Sequence, residues 1–189
     1  MKTRCAWVTE DLIYIKYHDE EWGRPVYDDD KLFAKLCLEG AQAGLSWITV
    51  LKKRPRYFEL FNDLSPKKVA AMSDDELEAT LTDSGIIRNR LKVYSMRTNA
   101  LAFLAVQKEF GSFSKYLWDW VGNEPQVNHP KTLAEVPART ELSDALAKDL
   151  KARGFKFMGS TIVYAYLQSM GLVIDHTTDC FCYCESYKN

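Results

Sequence analysis

The sequence predicts an all-α fold. Strand-like alternation of apolar and polar residues is nearly absent over its 189 positions. Apolar residues recur instead at helical spacing, and capping signals precede one such run after another, Ser65-Pro66 and Ser73-Asp74-Asp75-Glu76 most clearly. The length fits one domain spanning 1–189, or two closely packed helical lobes.

Taken in order, the segment from Trp7 to Gly23 is aromatic-rich, with Trp7, Tyr14, Tyr17 and Trp22. Tyr14 and Tyr17 stand three apart and share a face on a helix, and Gly23-Arg24-Pro25 ends the segment. Asp28, Asp29 or Asp30 caps a helix from Lys31 whose stripe is Leu32, Phe33 and Leu36, with Gly44 as its stop. Ser46 caps the next, which carries Ile48, Val50 and Leu51 and loses its pattern near Pro55; Tyr57 to Phe61 adds a packed turn or two. Pro66 opens a helix bearing Val69 and Met72, and the box at Ser73 opens one with Leu77 and Leu81 on a face, terminated by Gly85. The longest helix runs from Lys92 to Phe110 with Val93, Met96, Ala100, Phe103 and Leu104 inward, and a short one follows over 113–121. Asn123 to Arg139, with three prolines, reads as a loop or lobe boundary. Thr140 or Ser143 restarts helix around Leu142, Leu146 and Leu150, closed near Gly154, and Thr161 to Met170 forms the last, ended by Gly171.

No run approaches the roughly 20 apolar residues of a membrane helix, and the N-terminus has no apolar signal core, so the cytoplasm is the expected location. Five cysteines, an odd number, suit reduced thiols or a metal better than a disulfide framework. The net charge of -1 gives nucleic-acid binding no global support, so such binding needs a local basic face. The best candidate is the acid-free stretch Gly85-Ile86-Ile87-Arg88-Asn89-Arg90-Leu91-Lys92.

The most unusual stretch is Glu39-Gly40-Ala41-Gln42-Ala43-Gly44-Leu45-Ser46-Trp47. A carboxylate between apolar runs is costly unless partnered. Its bland reading is a buried pair with Lys35 or Arg54; its functional reading is the floor of a pocket for something flat and polar. In that reading Gly40 and Gly44 thin the wall, Gln42 offers a donor and an acceptor, and Trp47 a flat face. At the two ends of the chain, Cys5 and His18, then His176 and Cys180, supply two sulfur and two nitrogen ligands, a set typical of structural zinc. Cys182 and Cys184 are competing thiols, Cys37 reads as packing, and His129 as a surface residue.

Arg4-Cys5-Ala6-Trp7 with Tyr17-His18-Asp19-Glu20-Glu21-Trp22-Gly23, Leu38-Glu39-Gly40 through Ala43-Gly44-Leu45-Ser46-Trp47, and Asp175-His176 with Cys180 together resemble the bacterial 3-methyladenine DNA glycosylase I family. The likeness extends through Gly85-Ile86-Ile87-Arg88 and Arg153-Gly154-Phe155-Lys156-Phe157. It implies a helix-hairpin-helix glycosylase fold with a zinc ion on Cys5, His18, His176 and Cys180, tying the two termini together. It also implies a base pocket with Glu39 as the acidic partner of the base, Trp47 as a stacking wall, Tyr14 and Tyr17 beside it, Trp7 and Trp22 close by, and Gln42 as a polar reader. A hairpin over about Ser84 to Lys92 is expected to hold the DNA backbone through Gly85, Arg88, Arg90 and Lys92. That hairpin departs from the glycine-x-glycine turn of the wider superfamily. The superfamily's catalytic aspartate has no counterpart either, since Asp119 and Glu124 match no motif.

The implied activity is release of 3-methyladenine, with 3-methylguanine as a minor candidate, from alkylated double-stranded DNA by a monomer. N3-methylation leaves adenine positively charged. An aromatic face attracts such a cation by about 0.5–2 kcal/mol, and a carboxylate offsets the charge while accepting a hydrogen bond. The charged base also departs as a neutral leaving group, so Glu39 is expected to position and stabilise, not to deprotonate water. No lysine lies in the 39–47 stretch, so a monofunctional hydrolase without Schiff-base chemistry is expected. Two other classes fit fewer of these residues: a zinc-clipped binding module without catalysis, and a small-molecule enzyme using Glu39.

Overall fold

A computed structural model describes residues 2–183; Cys184, one of the competing thiols, lies outside them. Among the described residues there are nine α-helices: α1 (Leu12–Glu20), α2 (Asp29–Gln42), α3 (Trp47–Leu60), α4 (Pro66–Ala70), α5 (Asp74–Thr80), α6 (Arg90–Phe110), α7 (Phe113–Asp119), α8 (Glu141–Ala152) and α9 (Ser160–Ser169). The only sheet among them is a two-residue parallel pair, β1 (Gln126–Val127) with β2 (Val173–Ile174), in register Gln126 to Val173.

α2 is the axis of the fold. Every residue from Leu32 to Ala41 is buried, because α3, α6, α7 and α9 pack around it. The Asp28 carboxylate accepts from the Lys31 amide at 2.9 Å and starts the helix. At the other end Gly44 adopts φ +79°, the left-handed turn a glycine tolerates. The expected caps at Ser73 and Thr140 are both present as reciprocal boxes, Thr140 with Ser143. Asn99, buried in α6, holds the 153–157 turn by accepting from the Lys156 amide at 2.7 Å and donating to its carbonyl at 3.1 Å.

Four expectations change. Pro55 does not end a helix, since α3 continues through it to Leu60. The missing N–H falls on an exposed part of α3, and Tyr57, buried in the main core, anchors the following turn. Gly85 does not terminate α5, which ends at Thr80. Leu104 is only partly buried, Val106 taking the inward place. Ser46 has the backbone of a cap, but its hydroxyl pairs with Thr49 Oγ1 at 2.7 Å instead of an amide.

Candidate active site and metal centre

α1, α2, α3 and α9 converge on a cavity of about 440 Å³, within the roughly 300–1,000 Å³ common for ligand pockets. Trp7, Tyr14, Tyr17, Trp22, Glu39, Gln42 and Trp47, all singled out from sequence, line it together. The rings form a connected series, Trp22 to Trp7 at 5.1 Å, Trp7 to Tyr14 at 5.0 Å, and Tyr17 to Trp47 at 5.4 Å between centroids. The far wall escaped the sequence reading. It comes from Thr161, Tyr164 and Gln168 on α9 and from Val136 and Pro137 of the proline-rich loop, with Asp175 beside them. Asp175 is a buried carboxylate that accepts from Asn128 at 2.7 Å, from Gln168 at 2.8 Å and from the Tyr164 hydroxyl.

Glu39 has one of the two partners its bland reading allowed. Lys35, one turn earlier on α2, places Nζ 3.4 Å from Glu39 Oε1, and both side chains are buried. Arg54 is committed elsewhere, to a two-pronged pair with Glu21 at 2.6 and 2.8 Å. Burial pushes the Glu39 carboxyl above its usual range, and Lys35 pulls it partly back. Burial likewise lowers Lys35 to about 8, with Glu39 holding it up. Two buried side-chain atoms among the described residues have no hydrogen-bond partner: Glu39 Oε2, an acceptor, and Trp47 Nε1, a donor. Leaving each unpaired costs about 1–3 kcal/mol.

The expected thin wall at the glycines is not what the backbone does. A Cβ on Gly40 would meet Phe157 Cβ at 3.6 Å, an ordinary packing contact, while Gly44 serves its turn. Trp47 also differs from expectation, because one face is already taken: Lys35 Nζ lies 3.4 Å from its ring centroid. A second cation stacked on the opposite face would sit some 7 Å away. At an effective dielectric of 20 that repulsion is about 2 kcal/mol, enough to cancel the ring's attraction.

At the chain ends, Cys5, His18, His176 and Cys180 are all buried with their ligand atoms within 4.8 Å of one another, a group that could hold a metal ion. Sulfur-to-nitrogen distances are 3.4 Å for Cys5 to His176 Nδ1, 3.5 Å for Cys180 to His18 Nε2 and 3.6 Å for Cys180 to His176 Nδ1. A tetrahedron with Zn–S near 2.3 Å and Zn–N near 2.0–2.1 Å has such edges at about 3.5 Å. The outward nitrogens are occupied, His18 Nδ1 by Asp19 at 2.8 Å and His176 Nε2 facing the Trp22 carbonyl at 3.3 Å. This leaves the correct nitrogen of each ring for the ion. Arg4 fixes Asp19 in turn. Cys182 makes a second group with His18 and Asp19, but it needs the same His18.

The 84–92 region is less uniform than its sequence. Gly85 donates its amide to Asp83 at 2.7 Å, and a Cβ there would fall 2.5 Å from Arg56 Cγ, so its packing alone demands glycine. The Ile87 amide donates to the Tyr57 hydroxyl at 3.0 Å. Two of the turn's amides are therefore already used. Lys92 corrects an expectation: its ammonium turns inward and donates to the Ala41 carbonyl at 3.0 Å and to that of Ala43, closing the C-terminus of α2. Arg90 is exposed but paired with Glu78, and Arg88 is exposed. His129 is exposed, as expected, and bonds Tyr183. No helix among the described residues is long and apolar enough to cross a membrane.

Comparison with known proteins adds four findings. A family model described as methyladenine glycosylase matches residues 7–183. The DNA-3-methyladenine glycosylase of Haemophilus influenzae is 53% identical over 96% of this chain and 98% of its own length. Among solved structures, a 3-methyladenine DNA glycosylase I superposes with a TM-score of 0.93 at 50% identity, covering 95% of this chain and 99% of the other. A tyrosine variant of such an enzyme, bound to 3-methyladenine, does so with a TM-score of 0.93 at 36% identity, covering 98% of each.

Proposed function

The chain belongs to the methyladenine glycosylase family, and from that premise we propose that it is a monofunctional DNA-3-methyladenine glycosylase. It hydrolyses the N-glycosidic bond of 3-methyladenine in alkylated DNA and so begins base excision repair. The observation that carries this reading is the pair of orphaned buried atoms, Glu39 Oε2 and Trp47 Nε1, in the walls of one aromatic cavity. A flat heterocycle with a donor on its edge answers the Glu39 carboxylate and lays a face on the Trp47 ring.

The target nucleotide leaves the DNA stack and enters the cavity. Trp47, Tyr17 and Tyr14 flank the ring, Glu39 accepts from its exocyclic amine and offsets its charge, and Trp7, Trp22 and Gln42 complete the walls. Neutral adenine gains no such offset yet would still desolvate the carboxylate, so selectivity is a difference of affinities. Departure of the base neutralises its own charge, which is why no second acid is required. Glu39 then acts by orientation and charge.

A zinc ion on Cys5 and Cys180 Sγ, His18 Nε2 and His176 Nδ1 would tie the N-terminal segment to the last described turn, a structural contribution outside the reaction itself. α5, the following turn and the start of α6 form the hairpin that meets the DNA backbone, with Arg88 and Arg90 as its charges and Lys92 holding the adjoining turn. The protein works as a single glycosylase domain, a cytoplasmic monomer on double-stranded DNA. Incubation with methylated duplex DNA and chromatography of the freed bases tests the whole reading. The expected product is 3-methyladenine, released more slowly as salt rises under subsaturating DNA. Release of nothing, or of unmodified adenine at the same rate, would sink it.

A further inference from the structure

Lys35 packs against three pocket residues without lining the cavity. Its Nζ donates to the Tyr17 hydroxyl at 2.5 Å, lies 3.4 Å from Glu39 Oε1 and covers one face of Trp47. Charged and titratable groups reach this pair from every neighbouring element. α1 and its C-terminal cap bring Tyr17 and Glu21, α3 brings Arg54, and α9 brings Tyr166 and the Ser169 hydroxyl. Arg54 and Glu21 satisfy each other, so Glu39 is left as the counter-charge of Lys35.

Resting on the pocket reading above, we infer that Lys35 is a positioning residue of the site. From behind the wall it holds Glu39 as an oriented carboxylate with Oε2 left for the base. By occupying the rear face of Trp47, it also assigns discrimination of a cationic base to Glu39 and leaves the ring as a stacking surface. The geometry gives each part. Oε1 is tied by the ammonium while Oε2 has no protein partner, and the tryptophan face nearer Lys35 already holds a cation. Without the ammonium, burial would act on the Glu39 carboxyl with less opposition, and the carboxyl would stay protonated to higher pH.

The test compares wild type, Lys35→Met and Lys35→Arg by single-turnover release of 3-methyladenine across pH. Alongside it, the carboxyl ¹³C resonance of Glu39, assigned with Glu39→Gln, is titrated. In Lys35→Met the acid limb of the rate profile moves up by a unit or more, about a tenfold loss per unit on that limb. The rate climbs back toward wild type at alkaline pH, and the carbon midpoint moves in step. Lys35→Arg keeps both midpoints near wild type. A loss uniform across pH, or an unmoved Glu39 midpoint, overturns the inference, and Lys35→Gln provides the same comparison if the methionine variant does not fold. Borohydride trapping on DNA that Lys35→Arg abolishes would make Lys35 a nucleophile and overturn it as well. If wild type frees no base, the pocket reading fails, while the carbon titration still decides the state of Glu39.

Discussion

The protein buries polar groups in two neighbouring places and treats them in opposite ways. Around Cys5, His18, His176 and Cys180, both imidazoles are anchored on their outer side and the four inner atoms face one another. In the pocket, Glu39 is anchored through Oε1 alone, and Glu39 Oε2 and Trp47 Nε1 have no partner. The first arrangement is complete in itself once an ion of the right size is supplied. In the second, Glu39 Oε2 is completed only by an organic guest. A buried polar atom tied on all sides reports on stability, and one left over reports on binding.

The contrast breaks most severely at the metal cluster. Cys180→Ser, or a strong chelator on wild type, is expected to cost about 3–5 kcal/mol of stability, on the order of 10 °C in Tm for a chain of this size. Thermal unfolding followed by circular dichroism checks it, and a Tm indifferent to chelator would remove the metal from the account. The next effect belongs to the pocket. Glu39→Gln is expected to slow 3-methyladenine release by about 10–100-fold, the worth of one buried charged hydrogen bond, without abolishing it. Turnover lost entirely with base binding intact would make Glu39 the chemical base. The smallest effect sharpens the comparison from the other side. Trp47→Phe keeps a ring and deletes the orphaned N–H, so stability is expected to hold or rise by up to about 1 kcal/mol, with base release changed by less than about tenfold. A hundredfold loss in single-turnover assays would place the indole nitrogen on the base.

Much of this was legible from residue types alone. Glu39 betrays itself as an acid inside an apolar helix, the four metal-site residues by their chemistry, and the helix starts at Asp28, Ser73 and Thr140 by capping. What stayed hidden depended on partners far along the chain. Lys35 is legible as a buried partner for Glu39 one turn on, but its contacts with Tyr17 and Trp47 exist only once α1 and α3 close over it. Lys92 shares its stretch with two exposed arginines, and only the approach of the α2 C-terminus turns it inward. Tyr164 and Gln168 read as ordinary residues of the last helix, and Asp175 only as the neighbour of a metal-ligand histidine, because nothing local reports that α9 faces a cavity. Pro55 reads as a breaker, and the burial of Tyr57 is what carries the helix past it.

The segment after β2 serves both regions from neighbouring residues: Asp175 and Thr177 line the cavity, while His176 between them joins the sulfur ligands. Side chains that alternate in this way exchange places when the backbone slips by one. Inserting or deleting a single residue here would swing a carboxylate toward the thiolates and an imidazole toward the base, spoiling both at one stroke. Its length should therefore be among the least negotiable in the molecule, even where individual letters elsewhere are free to drift.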